Sequence, residues 1–254
     1  MLAFPDAAAV AREAATRFVR LSQQFISSDG IFHAALAGGN TPRELYRLLA
    51  SDEFRPQVSW NKVHLFWSDE RPVPLDHSES NHGMAWKELI SRVPIPPANV
   101  HRMEAESTDF EQAAKKYEDA LRSVVPCDSS GFPRLHLIIL GLGSDGHTAS
   151  LFPDSPALQP TARWVDAPFV EHLRGRRMTL TLPVLNAAHH LLFLVTGAEK
   201  AEVLQRVVEG TARPPLPAQS VRPKDGELVF LADAAAARLV APRLPPNAVM
   251  ATES

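Results

Sequence analysis

"LHLIILGLGSDGHTASLFP", residues 135–153, is the stretch on which the fold turns. Leu137 to Leu140 carries no polar side chain, and an apolar run that does not alternate reads as a strand buried on both faces. It ends on Gly141 and Gly143, residues that permit positive φ and close backbone approach. Asp145 and His147 come next, separated only by Gly146. In an open parallel sheet, ligands bind beyond the carboxyl ends of the strands. A buried strand that hands an acid and an imidazole to one tight turn fits that plan.

Outward from this strand, short apolar runs alternate with longer amphipathic ones. "AAVAREAATRFVRLSQQF" reads as a helix with Val10, Ala14, Phe18 and Leu21 along one stripe. "IFHAALA" is a strand that ends at Gly38 and Gly39. Thr41-Pro42-Arg43-Glu44 has the form of a capping box with proline at the first helical position. "VHLFWSDE" reads as one strand, and "SNHGMAWKELI" and "TDFEQAAKKYEDALRSVV" as helices. "RMTLTLP" alternates and reads as a half-exposed strand, "HLLFLVT" as a buried one, and "AEKAEVLQRVVEG" as a helix. "GELVFLADAAAARLV" supplies a last strand and helix. This alternation predicts an α/β fold: a mainly parallel sheet with helices on both faces. Residues 153–175 are irregular and have room for a small excursion from it. No repeat or low-complexity linker divides the chain, so residues 1–254 read as one domain.

The totals narrow the functional classes. With 26 basic and 29 acidic residues and no basic block, neither nucleic acid nor an anionic membrane is a favoured partner. One cysteine excludes a disulfide framework or a CxxC metal site. Asp6, Arg12 and Glu13 interrupt the start of the chain where a secretory signal needs an apolar core, and no stretch is long and apolar enough to span a membrane. The expectation is a cytoplasmic protein, a monomer or small homo-oligomer.

Three further segments carry chemistry. "AGGNTPRELY", 37–46, runs a strand into glycines and a helix start, leaving N–H groups free to bind a phosphate; a plain capped turn is the equal alternative. "SDERPVP", 68–74, puts Asp69, Glu70 and Arg71 at a strand's carboxyl end, or else is a surface charge cluster. Asn81 is a helix cap or a ligand contact. Lys200 sits in the first turn of a helix, opposed to its dipole, which a bound anion would explain; a solvated lysine is the bland account. Asp145 can orient His147 as a general base, or cap a helix. His189 and His190 lack metal-type spacing and read as structural.

GGNTP, SDERPVPLDHSESN, GLGSDGHTASLFP, RMTLTLP, TGAEKA and LPAQSVRP, taken in order, resemble the 6-phosphogluconolactonases from about Gly38 to about Phe230. The resemblance implies a Rossmann-like fold related to glucosamine-6-phosphate deaminases and ribose-5-phosphate isomerases. It implies hydrolysis of 6-phospho-D-glucono-1,5-lactone to 6-phospho-D-gluconate in the oxidative pentose phosphate pathway, with neither metal nor cofactor. The phosphosugar would lie with its phosphate against Gly38, Gly39, Asn40 and Thr41, Arg177 and Lys200, near Asp69 and Asn81. His147, Asp145 and Arg71 would be catalytic, with Arg71 or N–H groups after Gly141 facing the oxyanion. Arg174 and Arg176 are alternatives to Arg177. The lactonase pattern has serine where Ala37 and Asn40 stand. The deaminase pattern continues DGHIAFNEP, with a glutamate where Phe152 stands here; phenylalanine cannot relay a proton, and SLFP is the lactonase ending. A sugar-phosphate isomerase or deaminase, and a non-catalytic sugar-phosphate sensor, are the rival readings.

Overall fold

The computed structural model describes residues 1–240 apart from positions 160 and 211, and the backbone alone at position 172. Residues 241–254, part of the single domain expected over 1–254, lie outside the described residues. The first half of the chain forms β1 (Leu2–Phe4), α1 (Ala7–Asp29), β2 (Phe32–Leu36), α2 (Asn40–Leu49), β3 (Val63–Trp67), β4 (Asp69–Glu70), α3 (Asn81–Glu88) and α4 (Phe110–Val124). The second half forms β5 (Leu137–Gly141), β6 (Val165–Asp166), β7 (Phe169–Val170), β8 (Gly175–Arg176) and β9 (Met178–Leu180). It continues with α5 (Leu182–Ala187), β10 (His190–Val195), α6 (Ala201–Glu209), β11 (Glu227–Asp233) and α7 (Ala234–Ala237).

The main sheet has the order β1-β11-β10-β5-β2-β3, and every pair in it is parallel. This is the expected α/β architecture. The interior strands lack alternation because both faces are covered: all of β2, Leu137 to Leu140 of β5 and Leu191 to Val195 of β10 are buried. From β2 the chain moves outward to β3, then returns to place β5 on the other side of β2 and builds away from it through β10 and β11. The reversal makes the β2/β5 junction a topological switch point, where loops diverge and open a crevice at the carboxyl edge.

Helix α1 shows how the core is assembled. Asp6 caps it by accepting from the Ala9 N–H at 2.8 Å, and Gly30 ends it at φ 80°. Its expected stripe of Val10, Ala14, Phe18 and Leu21 is buried, with Phe18 edge-on to Phe32 of β2 and stacked on Trp60. A fully buried side chain of this size contributes roughly 1.5–3 kcal/mol.

The structure corrects several local expectations. β1 is a strand the hydrophobic pattern did not announce; three residues pairing with β11 are too few for a period to show. "VHLFWSDE" is two strands, broken at Ser68, whose N–H and hydroxyl both bond the Leu36 carbonyl. β4 then turns into a small antiparallel sheet of order β4-β9-β6. β9, read as half-exposed, is buried throughout: it is the middle strand of that sheet, paired on one side with β6 from the irregular 153–175 stretch. Two buried tyrosines fix the ends of β2 and β3. The Tyr46 hydroxyl bonds both backbone groups of Ala37, and the Tyr117 hydroxyl both of Trp67.

Candidate active site

The crevice at the carboxyl edge has two lobes of about 420 Å³ each, which share Asp69, Arg71, His147 and Ala149. Gly38–Pro42, Gly141–Gly143, Thr196 and Lys200 line the first. Glu79, Ser144, Asp145, Phe152, Leu173 and Arg177 line the second. His147 therefore stands in the wall between them.

The glycine-rich loop after β2 is built differently from a capping box. α2 begins at Asn40, two residues early, with Gly39 at its cap in a φ 105° conformation and no side chain capping it. Pro42 is consequently the third helical residue, and the Thr41 hydroxyl is turned away to bond Thr196 at 2.6 Å. That bond ties the loop after β2 to the loop after β10. An uncapped helix start leaves its N–H groups unpaired, a suitable end for an anion. Gly38 is required by closeness: a Cβ there would collide with the Asn81 amide. Lys200 precedes α6 at its cap position and lines the same lobe, with Glu199 beside it.

The turn after β5 places the acid and the imidazole. Asp145 caps no helix; its Oδ1 accepts from the His147 backbone N–H at 3.1 Å and lies 2.6 Å from Nδ1 of the ring. That contact makes Nδ1 the protonated nitrogen and leaves Nε2 as the basic one. Burial pushes the Asp145 carboxyl up, but the hydrogen bonds and charge of His147 outweigh it and hold it below the ordinary range. Positive φ falls on Gly146, at 85°, and on Ala149, at 48°, instead of Gly141 and Gly143. Gly143 is instead a matter of space, since a Cβ would run into the His147 ring. The Phe152 ring packs on that imidazole with centroids 4.3 Å apart.

Arg71 is fixed at both ends of its reach. Its Nη1 donates to the Glu79 carbonyl and to Asn81 Oδ1, both at 2.8 Å. Asn81 is not the cap of α3: Ser80 is, accepting from the Gly83 N–H at 2.9 Å. The buried Asn81 amide instead joins Arg71 to Asp69, and Ser150 donates to the other Asp69 oxygen at 2.8 Å. Sequence reading missed Ser150 and Thr196, since a lone hydroxyl carries no pattern of its own. Of the three arginines, only Arg177 lines the crevice; Arg176 donates to the Ala167 carbonyl and lies over Phe110, and Arg174 sits exposed at a turn. Burial, and next the nearby Arg71, push the Arg177 guanidinium below its ordinary value. Lys200 lines the first lobe of the crevice and Arg177 the second. Among the described residues no group of three His, Cys, Asp or Glu is placed to hold a metal, and no helix is long and apolar enough to cross a membrane.

Residues 5–230 match the family described as glucosamine-6-phosphate isomerases/6-phosphogluconolactonase. The chain belongs to this family. It is 43% identical over 201 residues to the 6-phosphogluconolactonase of Synechocystis, covering 78% of this chain and 80% of that one. It is 43% identical over 212 residues to the human 6-phosphogluconolactonase, covering 82% and 81%. The crystal structure of 6-phosphogluconolactonase from Thermotoga maritima superposes with a TM-score of 0.77 at 32% identity, covering 91% of this chain and 97% of that one. At Phe152, where the resemblance places the difference from the deaminases, an apolar ring packs on the imidazole.

Proposed function

We propose that the protein hydrolyses 6-phospho-D-glucono-1,5-lactone to 6-phospho-D-gluconate, in the oxidative pentose phosphate pathway, with His147 as general base. The observation that carries the reading is the 2.6 Å contact between His147 Nδ1 and Asp145 in the wall shared by two lobes lined with cations. Nε2 takes a proton from the water that attacks C1, while Asp145 holds the ring and stabilises the imidazolium. Positioned general-base help is worth about 10²–10⁴ in rate. The ring oxygen leaves and takes the proton back from His147.

The remaining groups divide by lobe. Lys200 and the free N–H groups of Gly39, Asn40 and Thr41 hold the phosphate, and this remote anchor positions the reacting carbonyl. Arg71 faces the carbonyl oxygen as it gains charge; one well-placed donor is worth roughly 10²–10³. We assign Arg177, across His147 from Lys200, to the same end, where the product carboxylate forms. The exposed lone thiol of Cys127 is compatible with a reducing cytoplasm.

The test uses lactone generated in situ and monitored against its spontaneous hydrolysis, with ammonia release from glucosamine 6-phosphate as control. Acceleration without ammonia is the expected result. Ammonia release, or phosphosugar binding with no turnover, would replace this reading by the deaminase or the sensor.

A further inference from the structure

Glu70 belongs to neither lobe, although Asp69 and Arg71 on either side of it line both. It is the last residue of β4, 3% exposed, and its carboxylate meets four donors. Oε1 accepts the backbone N–H groups of Arg71 and Asn81, both at 2.8 Å. Oε2 accepts the His82 N–H at 2.8 Å and the Ser80 hydroxyl at 3.3 Å. Burial pushes the Glu70 carboxyl up, but a protonated carboxyl would set a hydrogen against one of these donors, so the hydrogen bonds favour the ionised form. Bonds of this charge-assisted kind are about twice as strong as neutral ones.

The donors come from both ends of one loop. Arg71 opens it, and Ser80, Asn81 and His82 close it at the start of α3. A carboxylate at a helix N-terminus is by itself an ordinary stabilising feature. Here the cap is already supplied by Ser80, and no helix explains the bond to the Arg71 N–H. The Arg71 side chain is held from the far end of the same loop, by Glu79 and Asn81. The distance between the backbone of Arg71 and the groups that aim its guanidinium is therefore set through Glu70.

We infer that Glu70 is a positioning residue: its buried carboxylate clamps the Arg71–His82 loop shut and so points the Arg71 guanidinium into the crevice beside His147. Glu70 touches no substrate. The inference rests on the lactonase reading, in which Arg71 faces the developing oxyanion.

The experiment is a double-mutant cycle on kcat and KM with Glu70→Gln, Arg71→Ala and both together, each checked for a cooperative melt above the assay temperature. Glu70→Gln keeps the shape but turns an amide N–H₂ toward donors. The expected result is a fall in kcat of about tenfold or more with KM nearly unchanged, and a double variant no slower than Arg71→Ala alone, the non-additivity of groups that act as a unit. Multiplying losses, or a kcat within twofold of wild type, would overturn it, since a merely structural acid weakens both backgrounds alike. Glu70→Asp, which keeps the charge but not the reach, is read in the same way if the glutamine variant does not fold. Amide hydrogen exchange at Arg71, Asn81 and His82 separates the clamp from the chemistry. Faster exchange at these three supports the clamp even if wild type shows no lactonase activity, an outcome that would remove only the reading beneath it. Unchanged exchange would overturn the clamp itself.

Discussion

The two edges of the main sheet treat histidine in opposite ways. At the carboxyl edge His147 stands 31% exposed, its ring tied to one carboxylate. At the amino edge six histidines are packed together: His33 and His64 near the starts of β2 and β3, His101 beside β3, His136 just before β5, and His189 and His190 at β10. His64 Nδ1 lies 3.0 Å from His101 Nε2, His33 and His136 lie 4.9 Å apart, and Phe25 stacks on His136 at 4.1 Å. Burial pushes His33 down to about 3, and His101 and His136 to about 4; it lowers His64, His189 and His190 as well. Burial favours the neutral form of these rings, even though His136 meets Asp29 and His190 meets Glu227, both at 3.1 Å. Under the proposed function the same residue type serves as a base only where strands end, helix N-termini converge and solvent reaches it.

The contrast breaks most visibly at His147. His147→Ala should cost about 10²–10⁴ in kcat, the range of positioned general-base catalysis. The melting temperature should stay close to wild type, because the ring is partly exposed and its partner Asp145 can turn to water. A variant retaining most of its turnover would move the proton transfer to another group and dissolve the distinction between the edges.

Much of the molecule is legible in its sequence, for reasons that differ by element. The unbroken apolar run of β5 announces a doubly covered strand, and residues just past the carboxyl end of such a strand in a parallel sheet fall at the ligand-binding edge. That logic places His147, Asp145, Gly38 and Asp69 around one crevice without any contact being known. Local hydrogen bonding is not legible. The letters Thr-Pro-Arg-Glu describe a capping box equally well whether or not Thr41 has a better partner, and Thr196 lies 155 positions away. Ser68 breaks a strand because it bonds across to Leu36, a decision made by tertiary structure. Glu70 reads as one charge among three; only its four donors show it facing inward. The amino-edge histidines are opaque in the same way, since their positions in the chain are scattered and only strand register gathers them.

Lys200 sharpens the carboxyl edge further. Its place at the cap of α6 opposes the helix dipole, which a bound dianion would reverse. Lys200→Ala should raise KM for the phosphorylated lactone by about 10–100-fold, the worth of one hydrogen bond between charged groups. An unphosphorylated lactone should be affected little. Equal losses on both would take Lys200 off the phosphate and leave the first lobe to its backbone N–H groups.

The smallest effect belongs to the amino edge. His33 is fully buried, and neither ring nitrogen has a hydrogen-bond partner among the described residues. Burial is the first cause of its low value, then the rings of His136, His64 and His101, with Asp29 opposing them. As pH drops below 6.5, the unfolded chain takes up a proton that folded His33 refuses until about pH 3. Stability is therefore complete above pH 6.5 and falls on acidification, by about 1.4 kcal/mol per pH unit for each such histidine. His33→Leu should fold as well as wild type at pH 7, because it removes two unpaired polar atoms and fills the space with carbon. Between pH 7 and pH 5.5 it should lose about 1.4 kcal/mol less than wild type in urea unfolding, roughly a tenfold difference in the folded-to-unfolded ratio. Parallel losses would mean that folded His33 already shares the proton with its neighbours. The amino edge would then be a proton-binding cluster, and the distinction between the edges would rest on exposure alone.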